Sequence, residues 1–360
     1  MVAIQGVDRV GAAPKQSGIR PFDMGRDLKP VADLIADAFR LELDERGAAA
    51  LREVRNMSRF GGIIRLLNLS AAELEGFFGG FVWVEEGKVV GNITVQKADK
   101  YASRWQIANV AVAPEFRGRG ISRALMERAI RHVRDRGGKW ATLQVYESNA
   151  IARTLYDHLG FDVVGGVTDL RAERLHASIA TGRANEAART APPLADFSSF
   201  SSNQWQPLFD LANNQVGAAS KWWRPVRRSE FQPSFESIAG EFLQEFVGQR
   251  KVLRRALQRG QRFEAAIVLT AQRWSGPHRV QLWVRPEYYG QLERRMADWV
   301  AATLATYPTF PVTATLPNDH IAAIDALQEI GLKRVRTLLT MRLDVAPDDA
   351  QDDARGLPAA

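Results

Sequence analysis

The stretch Ala108-Asn-Val-Ala-Val-Ala-Pro-Glu-Phe-Arg-Gly-Arg-Gly-Ile-Ser122 decides how this chain reads. A β-rich run closes at Val112, a loop punctuated by Gly118 and Gly120 follows, and a helical pattern opens at Ile121. Apolar residues at 121, 125, 126, 129, 130 and 133 give the expected helix Ile121–Arg136 one dry face, with arginines on the wet one. A glycine loop feeding a helix N-terminus aims free backbone N–H groups at one point, and the helix dipole favours an anion there. Glycine also permits dihedrals and close approach that other residues resist. Arg117, Arg119 and Arg123 add positive charge, so the implied ligand is a phosphorylated cofactor. No Gly-Lys-Ser/Thr closes the loop and GxGxxG is absent, which sets aside the P-loop and the dinucleotide fingerprint. Taken alone, the same residues also describe an ordinary strand–helix turn with solvated arginines.

Working outward, the N-terminal side predicts strands at Ile19–Phe22, Phe81–Val84, Lys88–Thr94 and Trp105–Val112. The second and third form a hairpin around Glu85-Glu86-Gly87. Helices are expected at Leu28–Arg40 and within 41–70. On the C-terminal side come a strand at Trp140–Val145, a helix at Ala150–Leu159 and a strand opening at Phe161–Val164. Ala, Thr, Ser and Pro then dominate to Asn203, the composition of a linker. Beyond it the pattern predicts helices at Trp205–Gln215, Ser237–Gln258, Gly290–Leu304 and Ile321–Ile330. Strands are expected at Phe263–Ala271, Arg279–Val284, Pro311–Leu316 and Arg334–Leu343. The organisation expected is a flexible arm (1–17), an α/β domain (18–175), a linker (176–203), a second domain (204–343) and an acidic disordered tail (344–360).

The second half echoes the first. Val112-Ala-Pro-Glu-Phe-Arg-Gly aligns with Val284-Arg-Pro-Glu-Tyr-Tyr-Gly at an offset of 172, and His158-Leu-Gly-Phe with Glu329-Ile-Gly-Leu at 171. Pro30-Val-Ala-Asp-Leu aligns with Pro207-Leu-Phe-Asp-Leu at 177. Near-constant offsets at separate places indicate two diverged copies of one unit, the alternative being two unrelated α/β domains.

About thirty residues past the glycine loop stands Glu147-Ser-Asn-Ala-Ile-Ala-Arg-Thr-Leu-Tyr-Asp-His-Leu-Gly-Phe161. Arg117-Gly-Arg-Gly120-Ile-Ser122 together with the run from Asn149 through Ala152, Leu155 and Tyr156 to Gly160-Phe161 resembles the GNAT superfamily of N-acetyltransferases. The resemblance covers residues 18–170, and the echo at 200–343 makes the chain look like a tandem of two GNAT folds. It implies an α/β (α+β) architecture, each copy a mixed, mostly antiparallel sheet flanked by helices, whose fourth and fifth strands splay to admit acetyl-CoA. Backbone groups of Val110 and Val112 would then pair with the pantetheine arm, and the Val112 N–H would polarise the thioester carbonyl. Arg117, Gly118, Arg119, Gly120, Ile121 and Ser122 would hold the pyrophosphate, Ser122 replacing a commoner Gly or Ala. Asn149 would contact the pantetheine, although Ser148-Asn149 also suits a helix N-cap. Tyr156 would protonate the departing thiolate as general acid, its alternative being a packed helical aromatic. An amine acceptor, small molecule or peptide, would attack directly.

The general base is the weak place. Gln106 and Asn109 stand where family members keep a Glu on the fourth strand; Glu147, Glu85 and Glu86 are the candidates by proximity, with a water chain as substitute. In the second copy Tyr289 meets Arg117, Leu292 meets Gly120, Arg294 meets Ser122, His320 meets Asn149 and Leu327 meets Tyr156. That copy is expected to have lost acyl-CoA binding.

Composition narrows the classes. The 360 residues carry no Cys, which excludes thiolate chemistry and Cys-ligated metals. The 5 His form no HxH or HxxxH spacing, so no metal is expected. No apolar run approaches the ~18–20 residues of a membrane span, and no secretory signal is visible, so a cytoplasmic protein is expected. A net charge of +7 suits an anionic ligand; nucleic acid is not favoured, for lack of a recognition signature. Lys221–Arg228, with Trp222 and Trp223, and the cations Arg250, Lys251, Arg254, Arg255 and Arg259 on the expected helix are the stretches a nucleic-acid scaffold would use. A non-catalytic acyl-CoA sensor is the other rival. Tandem copies allow a monomer that mimics a dimer, or a homodimer.

Overall fold

The computed structural model describes residues 17–38, 79–98, 103–175, 194–215, 226–232 and 249–345. The expected arm before residue 17, helices within 41–70, linker positions 176–193, the 221–225 part of the basic aromatic run and the tail beyond 345 lie outside the described residues. The chain divides into two compact units that interleave in sequence. One comprises Met1–Gln144, Thr154–Asp162 and Arg342–Ala360; the other comprises Val145–Arg153 and Val163–Met341.

The first unit contains β1 (Gly18–Pro21), α1 (Met24–Ala38), β2 (Gly80–Glu85), β3 (Lys88–Lys97), β4 (Arg104–Val112) and α2 (Ile121–Asp135). It also takes most of β5 (Trp140–Tyr146) and the second half of α3 (Ala150–His158). Its sheet order is β1-β2-β3-β4-β5, antiparallel up to β4, which β5 joins in parallel. Helix α2 buries Ile121, Leu125, Met126, Ala129, Ile130 and Val133, the face read from its periodicity. It lies close on β3 because residue 91 is glycine: a Cβ there would stand 3.0 Å from Ile121 and 3.1 Å from both Leu125 and Trp83. Trp83 pairs with Gly91 and so faces α2, whereas its neighbour Val82 packs with Val31 of α1. Successive strand residues point to opposite faces, so the two helices cover the two sides of the sheet. The start of α1 is fixed by Asp27, fully buried, which accepts from both Arg20 guanidinium nitrogens and from the Asp23 N–H.

The second unit contains β6 (Asp162–Ala172), β7 (Ser198–Ser199), α4 (Trp205–Gln215), β8 (Arg250–Arg259), β9 (Arg262–Gln272) and β10 (His278–Val284). It continues with α5 (Glu293–Leu304), β11 (Val312–Pro317), α6 (Ile321–Glu329) and β12 (Lys333–Asp344). Its sheet order is β12-β6-β11-β10-β9-β8-β7. Strands β10 and β11 run parallel, and their neighbours are antiparallel. The core lies between β9–β11 and the helices α5 and α6, with Ile267, Leu269, Met296, Val300, Ile324 and Leu327 among its buried residues. Strand β6 pairs with β11 from Val167↔Pro317 to Ala172↔Val312, much longer than the Phe161–Val164 run suggested.

The two units repeat one another. A hairpin, an antiparallel strand, a one-turn 3-10 helix after a proline, a helix, a parallel strand and a second helix follow in the same order. The 3-10 turns are Pro114–Phe116 and Pro286–Tyr288. Each half is a mixed, mostly antiparallel sheet flanked by helices, as the sequence predicts.

One expectation fails. Arg250–Gln258, expected as the end of a helix beginning at Ser237, is strand β8, paired with β9 from Arg250↔Gln272 to Arg259↔Arg262. The i, i+4 spacing of its cations is thus not a helical stripe. Half-buried Val252 and Leu253 and buried Ala256 are held by ten residues of ladder, and tertiary pairing overrides a weak helical preference.

Candidate active site

Two irregularities in β4 shape the site. Asn92 pairs with Ala111 and Thr94 with Ala108, so Asn109 and Val110 together oppose one residue of β3, a bulge. Asn109 takes the left-handed conformation that bulge demands (φ 52). Its carbonyl accepts from buried Asn92 Nδ2 at 3.0 Å, and its own Nδ2 donates to Thr94 Oγ1 at 3.2 Å. On its other edge β4 pairs with β5 only at Arg104↔Trp140, Trp105↔Ala141 and Gln106↔Thr142. Beyond Gln106 the parallel ladder stops, which leaves the β5-facing edge of Val110 and Val112 outside it.

At the end of β4 the Gly-Arg loop has its backbone prepared. Gly118 (φ 76) and Gly120 (φ 77) are left-handed, and a Cβ on either would meet nothing within 4 Å. The glycines therefore answer to conformation, and the space above them is open. Gly120 is the N-cap of α2 and offers no side-chain cap. Ala124 N–H bonds the Gly120 carbonyl, so the N–H groups of Ile121, Ser122 and Arg123 lack helical acceptors. Open space, orphan donors and a helix dipole fit a pyrophosphate.

The loop arginines are exposed, yet each is tethered by a hydrogen bond or ion pair. Arg117 Nε donates to the Val112 carbonyl at 3.1 Å, and Arg119 donates to the Glu115 carbonyl at 3.1 Å while lying over the Phe116 ring. Arg123 pairs with Glu127 one turn along α2. They stiffen the loop and supply field rather than free forks.

Tyr156 is 7% exposed, and burial pushes its hydroxyl up to about 12. It is therefore protonated at neutral pH, the state a proton donor needs. Its ring tilts against Phe161 at 6.1 Å, and its carbonyl accepts from Phe161 N–H, so the Gly160 turn fixes it. Asn149 is an N-cap: its Oδ1 accepts from Ala152 N–H at 3.1 Å. The Glu147 carbonyl accepts from Arg153, and its carboxylate is exposed. Glu85 accepts from the Trp83 indole at 3.1 Å, and Glu86 sits left-handed in the β2–β3 turn. Among the described residues no cluster of His, Asp and Glu suits a metal ion.

The equivalent place in the second unit is filled. Glu293 opens α5 and is 1% exposed; its Oε2 accepts from Leu292 N–H at 3.2 Å and its Oε1 meets His320 Nε2 at 2.8 Å. His320, fully buried, contacts Gln215 Nε2 through Nδ1 at 2.8 Å and stacks on Tyr289 at 4.1 Å. Burial favours the neutral acid, but the His320 bond and charge and the backbone N–H groups of Glu293 and Leu292 together outweigh it and hold the Glu293 carboxyl below its ordinary range. Motif alignment marks His320 only as the replacement for Asn149 and does not mark Glu293 at all. The signal for Glu293 in the sequence is an acid in the first turn of an apolar helix.

Known proteins share this architecture. The acetyltransferase (GNAT) family profile matches residues 48–161. The mycothiol acetyltransferase of Thermobifida fusca (strain YX) is 29% identical over 168 residues, 41% of this chain and 45% of that protein. The N-alpha-acetyltransferase MAK3 of Arabidopsis thaliana is 36% identical over 97 residues, 27% of this chain and 47% of that protein. The chain thus spans less than half the length of these curated relatives. A GCN5-related N-acetyltransferase from Sphaerobacter thermophilus matches the fold with a TM-score of 0.50 at 14% identity, covering 91% of this chain and 96% of that one. No helix among the described residues is long and apolar enough to cross a membrane. The segment 48–161, with its bulged fourth strand, splayed fifth and open glycine loop, is thus the part of the chain that is similar to the acetyltransferase (GNAT) family.

Proposed function

We propose that the chain is a cytoplasmic, acetyl-CoA-dependent N-acetyltransferase that works through its N-terminal copy, the C-terminal copy being silent. The observation that carries this reading is the contrast between two equivalent helix N-termini. At α2 the loop is open over Gly118 and Gly120, with uncapped donors. At α5 a buried carboxylate, Glu293, already sits on the first N–H groups, pinned by His320. A pyrophosphate fits the first and would meet negative charge in the second.

In this reading Val110 and Val112 align the pantetheine arm and the Val112 N–H polarises the carbonyl. The 117–122 loop holds the pyrophosphate, and Asn149 keeps its amide N–H groups for the pantetheine. The neutral amine attacks the acetyl carbon; the C–S bond breaks and the thiolate takes its proton from Tyr156. Glu147, Glu85, Glu86 or water accepts the ammonium proton. The acceptor is a primary amine of a small molecule or peptide, and mycothiol-type and N-alpha-amine acceptors head the panel to be screened. The chain works as a monomer whose two copies mimic a dimer, or as a homodimer.

A second reading, a non-catalytic acyl-CoA sensor, is favoured by one feature: β4 offers Gln106 and Asn109 where a base is wanted. Calorimetry and a thiol-release assay separate them. One acetyl-CoA per chain with amine-dependent CoA release, lost in Tyr156→Phe, supports the enzyme. Binding without release for every amine tried supports the sensor, and no binding refutes both.

A further inference from the structure

The first unit has a second concavity, a cavity of about 460 Å³ lined by Phe81, Lys97, Trp105, Arg128, His132 and Arg136. It lies at the far end of the sheet from the glycine loop. Trp105 pairs with Lys97, while Val112 pairs with Gly91, and eleven residues of α2 separate Ile121 from His132, about 16 Å at 1.5 Å each. No carboxylate lines it among the described residues. The cations are seated on rings instead. The Arg128 guanidinium lies 4.2 Å over Phe81 and the Lys97 ammonium 5.8 Å over Trp105. His132 stands edge-on to both rings, 5.4 Å from Phe81 and 5.5 Å from Trp105. A cation held by a ring face keeps its N–H groups, because the ring takes none of them. Burial first, then Arg136 and Arg128, hold the His132 imidazole below its ordinary range; Asp135 on the same helix opposes them and is not in the lining. The site is therefore a pre-assembled positive field with aromatic walls and no counter-ion among the described residues that line it.

We propose that this cavity binds a small aromatic carboxylate, its ring against Phe81 and Trp105 and its carboxylate between Arg128 and Arg136, with Lys97 at the rim. A bare inorganic anion would leave the aromatic walls uncovered, and a neutral aromatic would leave the guanidinium donors unused. The volume falls in the range of small-molecule sites. The site stands independently of the acetyl-transfer reading, since none of its residues belongs to the glycine loop or to the bulged half of β4.

Calorimetry on the whole protein with benzoate and indole-3-acetate tests it, with benzyl alcohol and inorganic phosphate as single-feature probes. The expected result is saturable binding of one or both carboxylates, at least tenfold tighter than either single-feature probe. Arg128→Gln and Arg136→Gln each weaken it at least tenfold and leave acetyl-CoA affinity unchanged. Carboxylate binding also raises the His132 titration midpoint in NMR, because the new anion screens the two arginines. No saturable carboxylate binding overturns the proposal. So does equal binding of benzyl alcohol or phosphate, or binding indifferent to both arginine variants.

Discussion

Gly120→Glu, read against Gly120→Ala and Gly290→Glu, probes the cofactor loop most directly. Gly120 is left-handed at φ 77, and nothing lies within 4 Å of where a Cβ would stand, so any replacement brings conformational strain and no steric clash. That strain is about 1–2 kcal/mol for a non-glycine residue. It is common to the free and bound states, so Gly120→Ala lowers the urea midpoint while acetyl-CoA affinity shifts only a few-fold. Glutamate adds a charge. At a separation of about 6 Å and an effective dielectric of about 20, a carboxylate and a phosphate repel by about 3 kcal/mol, about two decades in affinity. Gly290, with φ 80 and open space, is the left-handed glycine of the second copy's loop and aligns with Gly118; Gly290→Glu carries similar strain and leaves acetyl-CoA binding untouched. Calorimetric titration of the three variants and wild type, with urea melts as the folding control, reads all of this. Equal affinities for Gly120→Ala and Gly120→Glu would refute the loop as the pyrophosphate site. Loss of binding in Gly290→Glu would move the working site to the second copy.

The remaining expectations are shorter. Tyr156 is held up at about 12 by burial, against an ordinary value near 10, so its protonated form is bound more tightly by the folded state. That contribution, about 2–3 kcal/mol, is full below pH ~10 and is lost as pH rises through ~12. Tyr156→Phe removes this alkaline slope from urea melts, the share due to Tyr289 remaining, and lowers kcat by about two to four decades. Burial alone would raise the Asp27 carboxyl, but the Arg20 bond, the Asp23 N–H and Arg26 together hold it below its ordinary value. Its contribution is present above pH ~4 and lost as pH falls through the folded value, and Asp27→Ala costs about 3–5 kcal/mol by stranding Arg20. Asn149→Ala costs about 1 kcal/mol as a lost cap, and Asn149→Ser recovers most of it, measured by thermal melts.

The parts of the fold legible in the sequence are those with one dominant signal. Helix α2 carries an unbroken 3.6-residue stripe, and every residue read as apolar on it is buried. Strands β2 and β3 flank a Glu-Gly turn and form the hairpin that turn announces. Strand β8 reads as helix because its arginines at 250, 254 and 255 mimic a helical wet face, and only the partner strand β9 resolves the ambiguity. The pairing of β6 with β11 is invisible in the sequence because it is a long-range choice that local pattern does not encode. At the site, Gly118, Gly120 and Tyr156 are legible as residue types at fixed spacing. The bulge is not: as a residue type Asn109 reads only as a poor base, whereas its work is to hold φ 52 and clamp Thr94. An Asn inside the otherwise apolar run Ile107–Val112 is the signal that points to it.

The two copies together explain why a duplicated fold can keep one chemistry and one architecture apart. A parallel strand pair that splays after three residues occurs in both, at Gln106↔Thr142 and at Val280↔Ala314. The short parallel pairing that precedes the splay survives divergence, because breaking it would separate β10 from β11 and open the core of Leu282, Met296 and Ile324. The anion loop has no such protection. Its donors point to solvent in the absence of ligand, and an orphan helix N-terminus that is to be buried needs a partner. Once Leu292 and Arg294 stand where Gly120 and Ser122 stand in the first copy, an internal carboxylate is the nearest available anion, and Glu293 supplies it as a buried charge. His320 then satisfies that charge, and Gln215 holds His320 through its other ring nitrogen. On the proposed reading, the second copy's loss of its cofactor site is the replacement of an external anion by an internal one.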